Sequence, residues 1–109
     1  MINNPEQIAE RLMSISALNQ RVAFDHFSAA QKPPFAVYTF TLSSDGADDL
    51  HNLFRAEVSI ELYQKMRDFE LEKQILAAFY DVPVDSESEY IDEEKLYLTE
   101  YTFHFFVKN

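Results

Sequence analysis

The adjacent residues Asp25 and His26 are the pair in this sequence whose chemistry comes nearest to part of a catalytic site. A carboxylate beside an imidazole can orient the ring for general-base catalysis. The nucleophile would have to be Ser28 or a more distant serine such as Ser43 or Ser44, and no GxSxG motif surrounds any of these. The sequence therefore predicts no catalytic residue, and we expect the chain not to be an enzyme.

The residues around this pair favour a structural interpretation. Residues 22–40 read VAFDHFSAAQKPPFAVYTF. Asp25 would accept backbone N–H donors in a turn, as aspartate often does. His26 and Phe27 would pack against the prolines at positions 33 and 34. In this interpretation the pair marks a corner between two strands, and a small enzyme that uses Asp25 and His26 remains an alternative.

Metal and cofactor sites have little support in the sequence. The histidines are far apart and lack HExxH spacing: they are His26, His51 and His104. Carboxylates near His51 could hold Ca²⁺ loosely, but their order does not match an EF-hand loop: they are Asp45, Asp48 and Asp49. Gly46 is the only glycine, which excludes glycine-rich phosphate loops. We predict no metal site and no cofactor, and expect residues 43–52 to form an exposed acidic loop.

The composition limits the classes of partner. The 109-residue chain carries 19 acidic and 9 basic side chains, a net charge of −10, so phosphate backbones and anionic lipids repel it. Specific nucleic-acid binding is unexpected, with two exceptions: a mimic of DNA, and the wall of a channel that DNA passes. Cysteine is absent, no signal peptide is recognised, and the longest apolar run has six residues. We expect one domain over residues 1–109, without disulfides or a membrane span.

Two amphipathic helices are predicted. Asn4 can cap the first, with Pro5 in its first turn and Gln7 three residues after the cap. Apolar residues then recur at helical spacing: Ile8, Leu12, Ile15 and Leu18. The second helix covers about residues 69–80 behind Asp68 as its cap. Its expected core face is Leu71, Ile75 and Phe79, with Leu76 and Tyr80 beside them.

Strands are predicted at residues 21–24, 35–42 and 54–63, and in a closing hairpin that turns at residues 92–95. The clearest signal is a period of two in the third strand, whose apolar positions are Phe54, Ala56, Val58, Ile60 and Leu62. The order α-β-β-β-α-β-β predicts an α+β fold: a mainly antiparallel sheet of four or five strands with two helices packed on one face.

The last strand is apolar on both faces, which a sheet covered on one side only does not require. One face carries Tyr97, Tyr101, Phe103, Phe105 and Val107, and the other carries Leu96, Leu98 and Phe106. Either long loops or a partner subunit covers the second face, and we favour the partner. The predicted subunit-interface residues are Tyr97, Tyr101, Phe103, Phe105 and Phe106.

Four segments together give the sequence a family resemblance: VAFDHF, KPPFAVYTF, AEVSIELYQKMRDFELEKQI and EYIDEEKLYLTEYTFHFFVK. In order and spacing the chain resembles, from about Arg21 onward, the tail terminator-like (tail completion) proteins of long-tailed bacteriophages and prophages. No single motif is diagnostic. The resemblance implies a mixed α/β structural subunit that assembles as a homo-oligomeric ring, typically a hexamer, which ends the tail tube and joins the tail to the head.

The resemblance also implies the partners, which are the tail tube protein and head-connector proteins, and a location in the host cytoplasm during assembly and then in the virion neck. DNA would only pass through the pore, with no specific binding and no membrane contact. Acidic walls would let DNA slide without sticking. The candidate pore-lining residues are Asp45, Asp48, Asp49, Glu87, Glu89, Asp92, Glu93 and Glu94. For the acidic run in residues 85–95 the plainer alternative is an edge strand whose charges prevent aggregation.

Two other functions remain open from the sequence. One is a different head–tail joining or head-completion component, which the sequence does not distinguish from a tail terminator. The other is an acidic DNA mimic that inhibits a host nuclease, whose mark would be carboxylates spaced like phosphates along one continuous face.

Overall fold

The computed structural model of the protein describes residues 1–44 and 53–108. Two α-helices and five strands follow one another along the chain, and a single 3-10 turn, Ser16–Leu18, follows the first helix. The elements are α1 (Glu6–Met13), β1 (Val22–Phe24), β2 (Phe35–Ser44), β3 (Leu53–Gln64), α2 (Phe69–Ala78), β4 (Asp85–Ile91) and β5 (Leu96–Lys108). This order confirms the predicted succession of helices and strands.

The five strands form one sheet in the order β1-β2-β3-β5-β4. β2, β3, β5 and β4 pair antiparallel with their neighbours, whereas β1 pairs parallel with β2 from Val22 opposite Ala36 to Phe24 opposite Tyr38. The predicted α+β class is confirmed, and the sheet is mixed. The parallel pair arises because residues 25–34 carry the chain back along the sheet before β2 begins, so that β1 and β2 start at the same end.

Local capping explains where both helices begin. At α1, Asn4 Oδ1 accepts the N–H of Glu6 and Gln7 Oε1 accepts the N–H of Asn4, so these two side chains satisfy two backbone donors at the start of the helix. At α2, Asp68 Oδ1 accepts the N–H groups of Glu70 and Leu71. Asp68 caps α2 as predicted, whereas α1 begins one residue later than predicted, with Pro5 at the N-cap position and Asn4 before it. Both helices end earlier than expected.

Both helices end before the residues at which the sequence predicts their ends. α1 stops at Met13, and the 3-10 turn then places Leu18 in the core from outside the helix. α2 stops at Ala78. Leu76 within α2 and Tyr80 beyond it do not join the core face: they are 40% and 79% exposed, while Leu71, Ile75 and Phe79 are buried as predicted.

The core lies between the two helices and one face of the sheet, here called the helix face. On β3 it takes every second residue from Ala56 to Gln64, which confirms the predicted alternation. Val58 and Ile60 share one buried cluster with Ile75 and Phe79. The opposite side of the sheet, here called the open face, carries the odd-numbered residues of β3 and the even-numbered residues of β5.

Candidate interaction surface

The helices cover the aromatic side of β5. Tyr101, Phe103 and Phe105 are at most 5% exposed, and the Phe103 ring lies 4.9 Å from the Phe79 ring after α2. The Tyr101 hydroxyl donates to the backbone carbonyl of Glu72 at 3.4 Å, and burial raises the pKa of this tyrosine. These three residues of the predicted interface therefore belong to the core of the chain itself.

The other two predicted interface residues lie outside the deep core. Tyr97 is half-buried, and its ring packs 4.9 Å from that of Tyr90 on the edge strand β4. Phe106 lies on the open face, is 42% exposed and contacts His104 edge-on at 5.9 Å. Leu96 and Leu98 on the same face are half-buried. Of the two faces of β5, the open face is therefore the one that the helices leave uncovered.

Part of the open face is covered by the chain itself. In the connection of residues 25–34, Phe27 packs edge-to-face on Phe35 at 5.5 Å, and Phe35 stacks on Tyr63 at 5.0 Å. Val37 beside them is only 8% exposed. This supports a structural role for the corner and corrects one detail: Phe27 packs on Phe35, whereas Pro33 and Pro34, joined by a cis peptide bond, line a separate hollow.

Asp25 and His26 stand at the exposed tip of this corner. Asp25 has a positive φ of 66°, and its Oδ2 lies 2.8 Å from His26 Nδ1 rather than accepting the expected backbone donors. The side chains are 62% and 77% exposed. Both border an open depression of about 290 Å³ against Phe35, Glu61 and Tyr63, which no serine lines within the described ranges. The pair can orient an imidazole, but no hydrogen bond joins that ring to Ser28.

Three glutamates face one another across the uncovered part of the open face. Glu61 on β3 lies directly opposite Glu100 on β5, and Glu100 lies directly opposite Glu87 on β4. Like charges in this position repel and destabilise a sheet. The ion pairs formed within residues 1–44 and 53–108 include none of the three.

Two hydroxyl groups on β3 donate hydrogen bonds to members of this glutamate row. Ser59 Oγ donates to Glu100 Oε2 at 2.9 Å, and the Tyr63 hydroxyl donates to Glu61 Oε1 at 3.2 Å. Partial burial, with the adjacent charge of Glu61 as the next cause, raises the pKa of Tyr63 to about 12. Only the strand register shows that these three acids lie opposite one another.

The candidate pore-lining residues fall into three places. Asp45, Asp48 and Asp49 lie outside the described residues, as does the loose Ca²⁺ arrangement with His51. Glu87 and Glu89 are exposed on the open face of β4. Asp92, Glu93 and Glu94 are exposed in the turn between β4 and β5. Nothing in the fold assigns a pore to them without a neighbouring subunit.

Two searches of the described residues gave negative results. Residues 1–44 and 53–108 contain no group of three or more histidine, aspartate or glutamate side chains placed to hold a metal ion. In the same ranges, the helices are too short and too polar to cross a lipid bilayer.

Comparison with known proteins gives likenesses in structure but none in sequence. The sequence matches no protein-family model and no curated protein. A chain in the solved structure titled "Virion of native gene transfer agent (GTA) particle" is similar in fold, with a TM-score of 0.68 and 10% identity over 94% of this chain and 92% of that chain. At this identity the likeness shows the fold alone. The protein thus has the fold of a chain found in a gene transfer agent virion particle.

Proposed function

We propose that the protein is a structural subunit of a tailed-phage type particle, which forms a tail terminator-like ring at the end of the tail tube and joins tail to head. The observation that carries this proposal is the fold shared with a virion chain over nearly the whole length of both proteins. It agrees with the family resemblance of the sequence, which was found independently of the structure.

The distribution of surface groups supports a subunit that needs neighbours. Large apolar side chains are exposed at several places on the described surface, among them Phe24 and Leu42 at 52% and Phe106 at 42%. The open face carries charges that no group of the described chain neutralises. Contacts with further copies and with the tail tube and head connector would bury such groups.

In this proposal DNA passes through the ring without being bound. The turn acids Asp92, Glu93 and Glu94 are exposed together and are our candidates for the pore wall. Negative side chains release no counterions from DNA. Contact between its phosphates and the pore wall therefore gains no binding free energy from counterion release. This role requires no catalytic step, and we propose that the protein is not an enzyme.

Deletion of the gene in the element that encodes it tests the function. We expect tails of abnormal length, or tails that fail to join heads, and rescue by the wild-type gene. A second complementing gene, with Asp92, Glu93 and Glu94 changed to lysine, should assemble particles that transfer DNA poorly. Tails of normal length that join heads in the deletion strain would refute the proposal.

The same experiment separates the main alternative. A head-completion component would leave tails of normal length and produce heads that lose their DNA, whereas a tail terminator would leave filled heads beside defective tails. Cross-links that place the turn acids on the outside of the particle would refute their assignment to the pore.

A further inference from the structure

The two edges of the sheet differ in charge, although they lie at the same height. The strand pairings connect Val22 on β1 through Ala36, Leu62 and Thr99 to Ser88 on β4, so these five residues form one row across the sheet. The row starts beside Arg21 and ends between Glu87 and Glu89. Each edge therefore presents its charged residues at the level of the other.

The β4 edge is acidic and exposed. Asp85, Glu87 and Glu89 alternate along its open face, and every residue of β4 except Ile91 is exposed. Their charges add to those of Glu61 and Glu100 on the neighbouring strands. One side of β4 pairs with β5, and no described strand pairs with the other side.

The β1 edge carries the opposite charge. Arg21 Nη1 donates to the backbone carbonyl of Lys32 at 2.6 Å, which places two cationic residues together beside the start of β1. Neither forms an ion pair within the described ranges. In contrast, each of three other arginines has a carboxylate partner: Arg11, Arg55 and Arg67. Arg21 and Lys32 therefore form a small basic surface at this edge of the sheet.

We propose that the acidic β4 edge of one copy binds the Arg21–Lys32 corner of the next copy. The occupant is a second copy because this chain itself carries the complementary charge, at the same level and on the opposite edge. The two surfaces do not overlap, so every copy can use both at once. Such a contact between unlike surfaces is heterologous, and it closes into a ring when the rotation between copies allows.

This inference deepens the proposed ring and rests on it, and it changes one assignment. Glu87 and Glu89 belong to the contact between copies, which leaves the turn residues 92–94 for the pore. It also gives the opposed glutamates a role. Their mutual repulsion in the single chain falls when cations of the neighbouring copy approach.

Cysteine trapping tests the contact directly, because the chain has no cysteine of its own. Two single variants, Lys32→Cys and Glu87→Cys, are mixed at high concentration under mild oxidation. We expect a disulfide between the two different variants to form severalfold faster than a disulfide within either variant alone. The matched control is Lys73→Cys mixed with Glu87→Cys, since Lys73 is 72% exposed and belongs to α2 and not to either edge strand. A mixed disulfide that forms no faster than this control would overturn the proposal.

Charge exchange beside the same two cysteines provides a second measurement, which tests the charge pairing itself. Arg21→Glu added to the Lys32→Cys protein, or Glu89→Lys added to the Glu87→Cys protein, should each slow formation of the mixed disulfide severalfold, because each change replaces an attraction by a repulsion. Trapping between an Arg21→Glu, Lys32→Cys protein and a Glu89→Lys, Glu87→Cys protein should recover the wild-type rate at low salt. Failure to recover would overturn the proposed charge pairing.

The failure of this contact can be told apart from failure of the proposed function. Oligomers seen by sedimentation without the mixed disulfide would refute the edge contact and leave the ring in place. A mixed disulfide in a protein whose deletion leaves tails normal would retain the contact and refute the tail function.

Discussion

Arg11 on α1 holds Asp81, three residues beyond α2, through two parallel hydrogen bonds. Nη1 donates to Oδ1 at 2.6 Å and Nη2 donates to Oδ2 at 3.0 Å, while the same guanidinium donates to the carbonyl of Ala78 at 3.1 Å. The N–H of Ile2 also donates to Asp81 Oδ2, at 2.6 Å. One mostly buried carboxylate therefore joins the amino-terminal segment, α1 and the end of α2.

Loss of this charge should destabilise the protein. The hydrogen bonds from Arg11 are the largest cause that lowers the pKa of Asp81 well below its usual range. We expect Asp81→Asn to cost about 1.5–3 kcal/mol of unfolding free energy, because charge-assisted hydrogen bonds contribute about that much. Urea titration measures the loss, and Glu10→Gln on the exposed side of α1 is the control, with little change expected.

The same carboxylate predicts how stability depends on pH. Its pKa is lower in the folded state than in the unfolded state, so its stabilisation is complete above the unfolded value of about 4 and is lost as the pH falls below it. The wild-type protein should lose more stability than Asp81→Asn between neutral pH and about pH 3. Parallel curves for the two proteins would contradict this.

The loss of unfolding free energy when a side chain on the helix face is truncated should depend on how far that side chain is buried. Ile60→Ala removes a fully buried side chain and should cost about 2–5 kcal/mol. Leu42→Ala removes a side chain on the same face that is 52% exposed, so it should cost distinctly less. Denaturant titration of both variants checks the difference. A loss below about 1 kcal/mol for Ile60→Ala would show that the buried face is assigned wrongly.

The corner of residues 25–34 should depend on its phenylalanine more than on its histidine. Phe27→Ala removes the edge-to-face contact with Phe35 and should cost about 1 kcal/mol or more. His26→Gln, at a side chain 77% exposed, should change stability by no more than about 0.5 kcal/mol. A folded His26→Gln protein that has lost a turnover reaction of the parent would instead favour the enzyme alternative.

Removal of one charge from the glutamate row should stabilise the isolated chain. Glu100→Gln keeps an acceptor for Ser59 and removes the charge between Glu61 and Glu87, so we expect a gain of about 0.2–1 kcal/mol. Thermal or urea unfolding at low salt measures it, and the gain should shrink at high salt. Glu57→Gln is the control on the same face of β3, and it should bring no gain because Glu57 is paired with Arg55.

Patterns within one element predicted most of the fold. The alternation in β3 specified its buried face, and Asn4 and Asp68 marked both helix starts, because these signals depend on neighbours in sequence. The early end of α1 escaped prediction, since Leu18 continues the helical spacing but reaches the core through a 3-10 turn.

Relations between distant elements escaped prediction for a different reason. The three residues of β1 are too few to show a direction, so its parallel pairing depends on the path of the following connection. The sequence shows apolar residues on both faces of β5, but which face the helices cover follows from the register of β5 against the buried residues of β3. The opposed glutamates and the pair of Arg11 with Asp81 likewise require the register and the packing of the finished fold.

The strand order also has a consequence for how the chain folds. β2 with β3, and β4 with β5, are neighbours in sequence and pair as two hairpins, but the central pairing of β3 with β5 spans α2 and the whole of β4. Closing such a long loop is slow compared with forming a hairpin. Until it closes, each hairpin exposes a long unpaired strand, β3 or β5, that a second unfinished chain can capture. When many copies are synthesised in one cell, fast pairing of β3 with β5 would therefore prevent such capture better than added stability of the finished sheet would.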